Sequence, residues 1–159
     1  MFGEYADSVS IHSKPFLEAC RESGIDAEIT SDIRRAIWEK FALIVGVSAT
    51  TTTMRNTIGP IRANQRTRTF LLDVMREAVA VGREHGVHFD EDYAENRLAF
   101  CDGMPSEMTS SMHTDLEQGR RLKVEWLSGS VVELGKAVGI ETPLNRAVRD
   151  ILALHARPQ

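Results

Sequence analysis

The sequence lacks the features that mark several common classes of protein. Its 159 residues include only two cysteines, Cys20 and Cys101, without CxxC or metal-type spacing. Because a chain of this length can bury a sizeable core, we interpret both as reduced structural thiols. No apolar run approaches the roughly 20 residues that cross a bilayer. The N-terminus also lacks the basic flank and apolar stretch of an export signal, so we expect a cytoplasmic protein that does not enter a membrane.

Positive charge is not in excess either. Lys and Arg total 19 against 23 Asp and Glu, which gives a net charge of −4. A dedicated nucleic-acid binder normally carries a basic surface, so this class is disfavoured. The local cluster of Arg62, Arg66 and Arg68 fits a solvated helix entrance better than a phosphate site.

Alternation of period two is almost absent, whereas helical periodicity recurs along the chain. Only residues 27–30 suggest an extended piece, and the opening "MFGEY" has no evident strand partner. Apolar spacing and caps predict about six or seven helices in one all-α domain over residues 1–159. Their expected ranges are 11–23, 33–49, 67–85, 90–103, 110–119, 124–139 and 142–156.

Short polar residues and helix breakers set the expected helix ends. Ser31 or Asp32 is expected to cap the second helix, Asp90 the fourth, and Thr109 or Ser110 the fifth. The β-branched run of threonines from residue 50 to 53 is expected to end the second helix. Gly59-Pro60 is expected to lie in a linker.

Four segments, in order, carry a family resemblance. They are "DIRRAIWEKF", "IGPIR", "MTSSMHTDLEQGR" and "EWLSGSVVELGKAVGIETPLN". Together they resemble the C-terminal helical domain of ketopantoate reductases, the 2-dehydropantoate 2-reductase family, which is related to 6-phosphogluconate-dehydrogenase-like reductases. The resemblance implies an NADPH-dependent oxidoreductase that reduces a 2-oxo acid to a 2-hydroxy acid, in the pantothenate and coenzyme A pathway if the usual substrate holds.

No GxGxxG turn, the mark of a dinucleotide-binding Rossmann domain, occurs in the chain. The resemblance therefore implies that NADPH is bound mainly by a Rossmann domain outside these residues, supplied in cis or in trans. We expect the isolated chain to be inactive and to hold no cofactor or metal of its own. The expected partners are this domain, a small 2-oxo acid and a second copy of the chain in a homodimer.

The resemblance assigns roles to three polar residues. Lys40 matches the catalytic lysine, which would hydrogen-bond the substrate carbonyl and supply a proton as hydride adds. Ser111 matches a substrate-binding residue, which we expect to contact the carboxylate of the substrate, and Asp115 matches an acid one helical turn later. Without the resemblance, Lys40 reads as a surface lysine and Ser111 as part of a helix cap.

Several positions depart from the family pattern. Lys123 stands where a substrate-binding glutamate is expected, and Ser48 stands where an asparagine is often found. Other polar amides are replaced by Ile44, Ile58 and Met108. We include Ser48 and Lys123 among the candidate substrate-binding residues. These replacements make the expected pocket more apolar than the family pattern. Two hypotheses remain: a reductase for a different 2-oxo acid, or a non-catalytic helical module that dimerises or binds a protein.

The histidines and tryptophans are weaker candidates. His85 and His88 are spaced by three residues across a glycine without a nearby acid, which argues against a metal site. His113 is expected to be a solvated residue in the first turn of its helix. Trp38 and Trp126 are interpreted as core packing or a domain-contact surface.

Overall fold

The computed structural model describes residues 1–5 and 13–156 and consists of helices joined by short connections. Within these residues the α-helices are α1 (Ser13–Glu22), α2 (Ile33–Met54), α3 (Ile58–Ala63), α4 (Gln65–Glu84), α5 (Tyr93–Asp102), α6 (Ser111–Glu117), α7 (Ser128–Val138) and α8 (Pro143–Leu152). Two 3₁₀ turns cover Val124–Trp126 and Ala153–His155. The predicted all-α domain is confirmed. Residues 11 and 12 of the first predicted helix lie outside the described residues.

Helix α2 forms the centre of the domain. It packs along α4 and also contacts α3, α6 and α8. Gly46 allows the closest approach of α2 and α4, because a Cβ at this position would collide with the side chain of Met75. Buried side chains from four helices meet there to form the core: Val45, Ala49, Leu71, Val74, Met75, Ala78, Val131 and Val148. This packing holds α2 rigidly along its C-terminal half.

The threonine run does not end α2, contrary to the sequence expectation. The helix continues to Met54, and Thr50, Thr51 and Thr52 are fully buried. The hydroxyls of Thr50 and Thr51 donate to the carbonyls of Gly46 and Val47, four residues earlier, at 2.9 and 2.7 Å. Tertiary burial together with these internal bonds therefore outweighs the weak helix propensity of threonine.

The segment predicted as a linker contains α3. Ile58 and Ile61 are buried, which gives the short helix an apolar anchor. Pro60 lies in its first turn, where the missing N–H costs no intrahelical bond. Gly59-Pro60 thus follows the end of α2, as expected, but it lies within a short helix and not in a linker.

The N-terminal residues also differ from the expectation. Phe2 forms an isolated parallel bridge with Ile29, the extended piece that the sequence predicts. The amide of Phe2 donates to the carbonyl of Glu28 at 2.9 Å, and the amide of Thr30 donates to the carbonyl of Phe2 at 2.9 Å. The expectation that "MFGEY" lacks a strand partner is therefore wrong for Phe2.

The predicted caps are largely correct. Asp32 caps α2 by accepting from the amide of Arg35 at 2.8 Å. Asp90 does not cap α5, which begins only at Tyr93; its carboxylate instead pairs with Arg35 at 2.9 Å. No helix within residues 1–5 and 13–156 is long and apolar enough to cross a lipid bilayer.

Candidate functional site

One face of α2 carries the candidate residues of this helix. Lys40, Ile44, Val47 and Thr51 are spaced by three or four residues, which places them in one stripe. The axial rise separates the Cα atoms of Lys40 and Thr51 by about 16 Å. The stripe thus runs from an ammonium group to a hydroxyl group, with apolar side chains between them.

Lys40 lines an open cleft of about 490 Å³, here called the Lys40 cleft. Its walls come from α2, α5 and the N-terminus. The lining residues are Met1, Ile33, Ala36, Ile37, Glu39, Lys40, Leu43, Tyr93 and Arg97. Lys40 is exposed, and its ammonium forms no hydrogen bond or ion pair with the part of the chain that the structure describes. The ammonium is therefore available to a ligand.

The other charged groups of the Lys40 cleft favour an anionic ligand. The carboxylate of Glu39 is occupied by Arg35, which donates from Nε at 2.7 Å. Arg97 has no carboxylate partner among the described residues, and its guanidinium lies 5.4 Å from the ring centres of Tyr93 and Phe100. Lys40 and Arg97 thus present two cations to the same cleft.

Tyr93 fixes the base of this cleft. Its hydroxyl donates to the carbonyl of Glu39 at 2.8 Å. Burial raises the pKa of Tyr93 to about 12, and the negative charge of Glu39 adds to the increase. The phenol therefore remains a protonated donor at neutral pH and ties α5 to α2 one residue before Lys40.

A second cleft of about 280 Å³ adjoins the first, and Leu43 lines both. We call it the serine cleft. Its lining comes from α2, from the connection after α5 and from the start of α6: Leu43, Ile44, Val47, Ser48, Met104, Met108, Thr109, Ser110 and Ser111. No charged side chain lines it. The structure therefore brings Ser48 and Ser111 together in one cleft, whose neighbour contains Lys40.

Ser110 is a structural residue of this cleft. Its Oγ accepts from the amide of His113 at 3.1 Å and caps α6, and it lies 2.8 Å from Oγ1 of Thr51. The single hydroxyl proton of Thr51 points to the carbonyl of Val47 at 2.7 Å. Ser110 is therefore the donor to Thr51, and both of its hydrogen-bonding functions are occupied within the protein.

Ser48 and Ser111 differ from Ser110 because neither hydroxyl has a hydrogen-bond partner among the described residues. Ser48 is 4% exposed, and Ser111 is exposed at the first residue of α6. Both line the serine cleft. Their hydroxyls are therefore the free polar groups that a ligand in this cleft would meet.

His113 is buried, at 4% exposure, and is not the solvated residue that the sequence suggests. Its Nδ1 is 2.6 Å from the hydroxyl of Thr109. Its Nε2 is 3.4 Å from a carboxylate oxygen of Glu117 but lacks the geometry of a hydrogen bond. The Thr109 hydroxyl is thus engaged with His113, on the side of α6 that faces the protein.

Asp115 and Lys123 do not line either cleft. The side chain of Asp115 is 17% exposed and lies 3.7 Å from the guanidinium of Arg120. Lys123 is exposed and precedes the first 3₁₀ turn. Glu125, two residues later, pairs with Arg149 at 2.9 Å, as expected of a carboxylate that faces elsewhere. Neither Asp115 nor Lys123 is therefore among the described residues that line the two clefts, although Asp115 lies one helical turn after Ser111 on α6.

The apolar replacements occupy two kinds of position. Ile44 and Met108 line the serine cleft and are each 38% exposed. Ile58 is completely buried, and its amide donates to the carbonyl of Met108 at 2.8 Å. Ile58 thus supports the segment that carries Met108, whereas the side chains of Ile44 and Met108 line the serine cleft themselves.

The remaining sequence candidates have structural contacts. Arg62 donates to the carbonyls of Cys101 and Met104, close to the C-terminal end of α5. Arg68 pairs with Asp102 at 2.6 Å. These bonds position the Met104 wall of the serine cleft, a role that sequence spacing could not reveal.

His85 has structural partners. The ring of His85 stacks on Trp38, with 5.8 Å between ring centres, and its Nε2 lies 3.2 Å from the carbonyl of Leu134. Across residues 1–5 and 13–156, no group of three or more His, Cys, Asp or Glu side chains is arranged to hold a metal ion.

The helices and clefts define an all-α domain with a lysine at a ligand-accessible face, and this lysine has no ion-pair partner within residues 1–5 and 13–156. Residues 32–156 match the family described as "Ketopantoate reductase PanE/ApbA C terminal". The chain therefore belongs to this family and corresponds to its C-terminal domain.

Individual relatives agree with the family match. A 2-dehydropantoate 2-reductase from Archaeoglobus fulgidus is 30% identical over 154 residues, covering 94% of this chain and 50% of the relative. The chain thus spans about half the length of the curated relatives that it matches.

Solved structures share the fold. A dimeric ketopantoate reductase from Staphylococcus aureus has a TM-score of 0.86 at 23% identity, over 94% of this chain and 52% of that one. A D-mandelate dehydrogenase with NADH and anilino(oxo)acetate has a TM-score of 0.84 at 16% identity, over 97% and 64%. At these identities the likeness concerns the fold alone.

Proposed function

We propose that this chain is the substrate-binding part of an NADPH-dependent reductase that converts a 2-oxo acid into a 2-hydroxy acid. One observation carries the proposal: the ammonium of Lys40 lies at a cleft that adjoins the hydroxyls of Ser48 and Ser111, and none of these three groups has a partner among the described residues. Family membership makes a 2-oxo acid the natural ligand for this combination of a cation and hydroxyl donors.

In this reaction the hydride added to C2 of the substrate would come from bound NADPH, and the carbonyl oxygen would take up a proton. Lys40 donates a hydrogen bond to that oxygen, stabilises the negative charge that develops on it, and supplies the proton. Ser111 holds the carboxylate and Ser48 provides a further hydrogen bond. The products are the 2-hydroxy acid and NADP⁺, and solvent reprotonates Lys40.

The proposal assigns most NADPH contacts to a Rossmann domain that faces the Lys40 cleft, in cis or in trans. The similarity of this chain to about half of each relative's length supports that division. We also propose a homodimer, in line with the dimeric Staphylococcus aureus structure. The roles of Asp115 and Lys123 stay predictions from the sequence, since neither is among the described residues that line the Lys40 cleft or the serine cleft.

The test compares two proteins: the 159-residue chain alone, and the same chain joined at Met1 to the nucleotide-binding half of the Archaeoglobus fulgidus reductase. Both receive NADPH and a panel of 2-oxo acids, and NADPH oxidation is followed by absorbance. We expect turnover by the fusion alone. Turnover by the isolated chain would overturn the proposed division of labour, and a folded fusion that reduces no 2-oxo acid would overturn the reductase itself.

A non-catalytic role in protein binding or dimerisation is the second candidate. It is favoured by exposed apolar side chains on the cleft face, where Ile37 is 46% exposed and Ile44 and Met108 are 38% exposed. Light scattering and a lysine substitution at Ile37 distinguish the two functions. A dimer that Ile37→Lys abolishes, together with a folded fusion that reduces no 2-oxo acid, would favour the non-catalytic role; an active fusion would exclude it.

A further inference from the structure

The lining of the serine cleft indicates what kind of substrate side chain it accepts. Five of its residues present apolar side chains, contributed by three separate segments of the chain: Leu43, Ile44 and Val47 from α2, Met104 after α5, and Met108 before α6. Because these segments converge on one space, the apolar wall is a property of the cleft and not of one helix face.

The polar groups at this wall are few. Ser110 is occupied by Thr51 and His113, and Thr109 by His113. Ser48 and Ser111 retain free hydroxyls within the described residues. A ligand with a carboxylate and a carbonyl can use Ser111 and, from the adjoining cleft, Lys40. The rest of such a ligand then lies against apolar side chains, with Ser48 as the remaining hydroxyl.

We propose that the serine cleft selects 2-oxo acids with a branched alkyl or aryl side chain that carries no hydroxyl group. This inference rests on the proposed reductase function and names its substrate class. A ligand hydroxyl that faces Ile44 and Met108, away from Ser48, has no hydrogen-bond partner and is unfavourable to bury, whereas burying a methyl group there is favourable.

The size of the cleft agrees with this class. Apolar cavities of about 150 Å³ hold a benzene ring. The serine cleft has a volume of about 280 Å³. It therefore accommodates a tert-butyl or phenyl group, and the two flexible methionine side chains at its rim can adjust to either shape.

A matched pair of ligands tests the inference directly on the 159-residue chain. Ketopantoate and 3,3-dimethyl-2-oxobutanoate differ by one hydroxyl group, and phenylpyruvate extends the series to an aromatic ring. Methionine and isoleucine methyl groups are labelled with ¹³C, and each ligand is titrated while the methyl resonances are recorded. We expect Ile44, Met104 and Met108 to shift and the core residue Met75 to remain unchanged.

The expected result is that 3,3-dimethyl-2-oxobutanoate binds at least about tenfold more tightly than ketopantoate. Ile44→Asn and Met108→Asn place amides in the cleft, and each should reduce the ratio of the two affinities by about tenfold. The control Ile151→Asn, on the exposed side of α8, should leave this ratio unchanged. Ser48→Ala should weaken the binding of both ligands alike, because it removes a hydrogen bond to the group they share, and should leave the ratio of their affinities unchanged.

The contrary results distinguish a failure of the substrate-class inference from a failure of the reductase function. Tighter binding of ketopantoate, or a preference that depends on Ser48, overturns the inference and leaves the reductase function standing. Turnover by the fusion without any shift of the three cleft methyl groups also overturns the inference alone. The absence of both turnover and methyl shifts overturns the reductase function and, with it, the substrate class.

Discussion

The hydroxyl of Ser110 donates to Oγ1 of Thr51 across 2.8 Å and joins the start of α6 to the buried C-terminal half of α2. Both residues are buried, at 9% and 0% exposure. This bond sets the distance between the two helices that form the serine cleft. Ser111, the next residue, thereby presents its hydroxyl to the ligand space.

Ser110→Ala should lower the free energy of unfolding by about 2 kcal/mol, because it removes the cap of α6 and the hydrogen bond to Thr51. Urea denaturation measures the loss. A double-mutant cycle with Thr51→Val isolates the bond between the hydroxyls, with an expected coupling of about 1 kcal/mol. Ser111→Ala is the matched control and should change stability by less than about 0.5 kcal/mol. Equal stabilities of the two serine variants would contradict the assigned roles.

Lys40→Ala should reduce kcat of the fusion enzyme by about 10²–10⁴-fold, because the carbonyl oxygen loses its proton donor. Its free energy of unfolding should change little, since Lys40 is exposed and forms no hydrogen bond or ion pair within the described residues. Steady-state kinetics with a 2-oxo acid measure the effect, and the exposed Lys14→Ala is the control. Activity within about threefold of the parent would remove Lys40 from the proposed mechanism.

Glu77 caps α8 from the neighbouring helix α4. Its carboxylate accepts from the amides of Leu144 and Asn145 at 2.8 and 2.9 Å, and from Nδ2 of Asn145 at 2.8 Å. Glu77→Gln should lower the free energy of unfolding by about 1–3 kcal/mol, because one acceptor oxygen becomes a donor that faces N–H groups. Chemical denaturation provides the measurement. Glu84→Gln, exposed on the same helix, should have almost no effect, and a comparable loss there would refute the capping role.

Alkaline pH should destabilise the domain through Cys101. Burial raises the pKa of the Cys101 thiol to about 11, and the nearby carboxylate of Asp102 adds to the increase. Unfolded cysteine ionises near pH 8.5, so the unfolded state loses its proton first. The contribution of Cys101 is fully present below that pH and is lost as pH rises toward 11, by about 2 kcal/mol between pH 8 and pH 10.5.

Urea denaturation across this pH range checks the alkaline effect. Cys101→Ala should flatten the fall in stability between pH 8 and pH 10.5. Cys20→Ala is the matched control, because Cys20 is only partly buried, and it should preserve the slope. Identical slopes for the parent and Cys101→Ala would exclude Cys101 as the cause.

The amino-acid sequence alone determined the helical class and most helix positions, because apolar spacing and capping residues act locally. Asp32 and Ser110 were identifiable as caps for this reason. The ordered motifs around Lys40 and Ser111 also identified the family, and the replacement of amides by Ile44 and Met108 indicated an apolar ligand space.

Only the tertiary structure decided which of these residues share a cleft. The threonine run of α2 is helical because neighbouring helices bury it, and α3 forms because Ile58 and Ile61 find apolar partners, neither of which local propensity encodes. The same packing places Ser48, Met104 and Ser111 around one space and leaves Lys123 outside it. Residues distant in sequence converge through burial of α2 against α4 and α6, so the boundaries of the site are a property of packing and not of motif spacing.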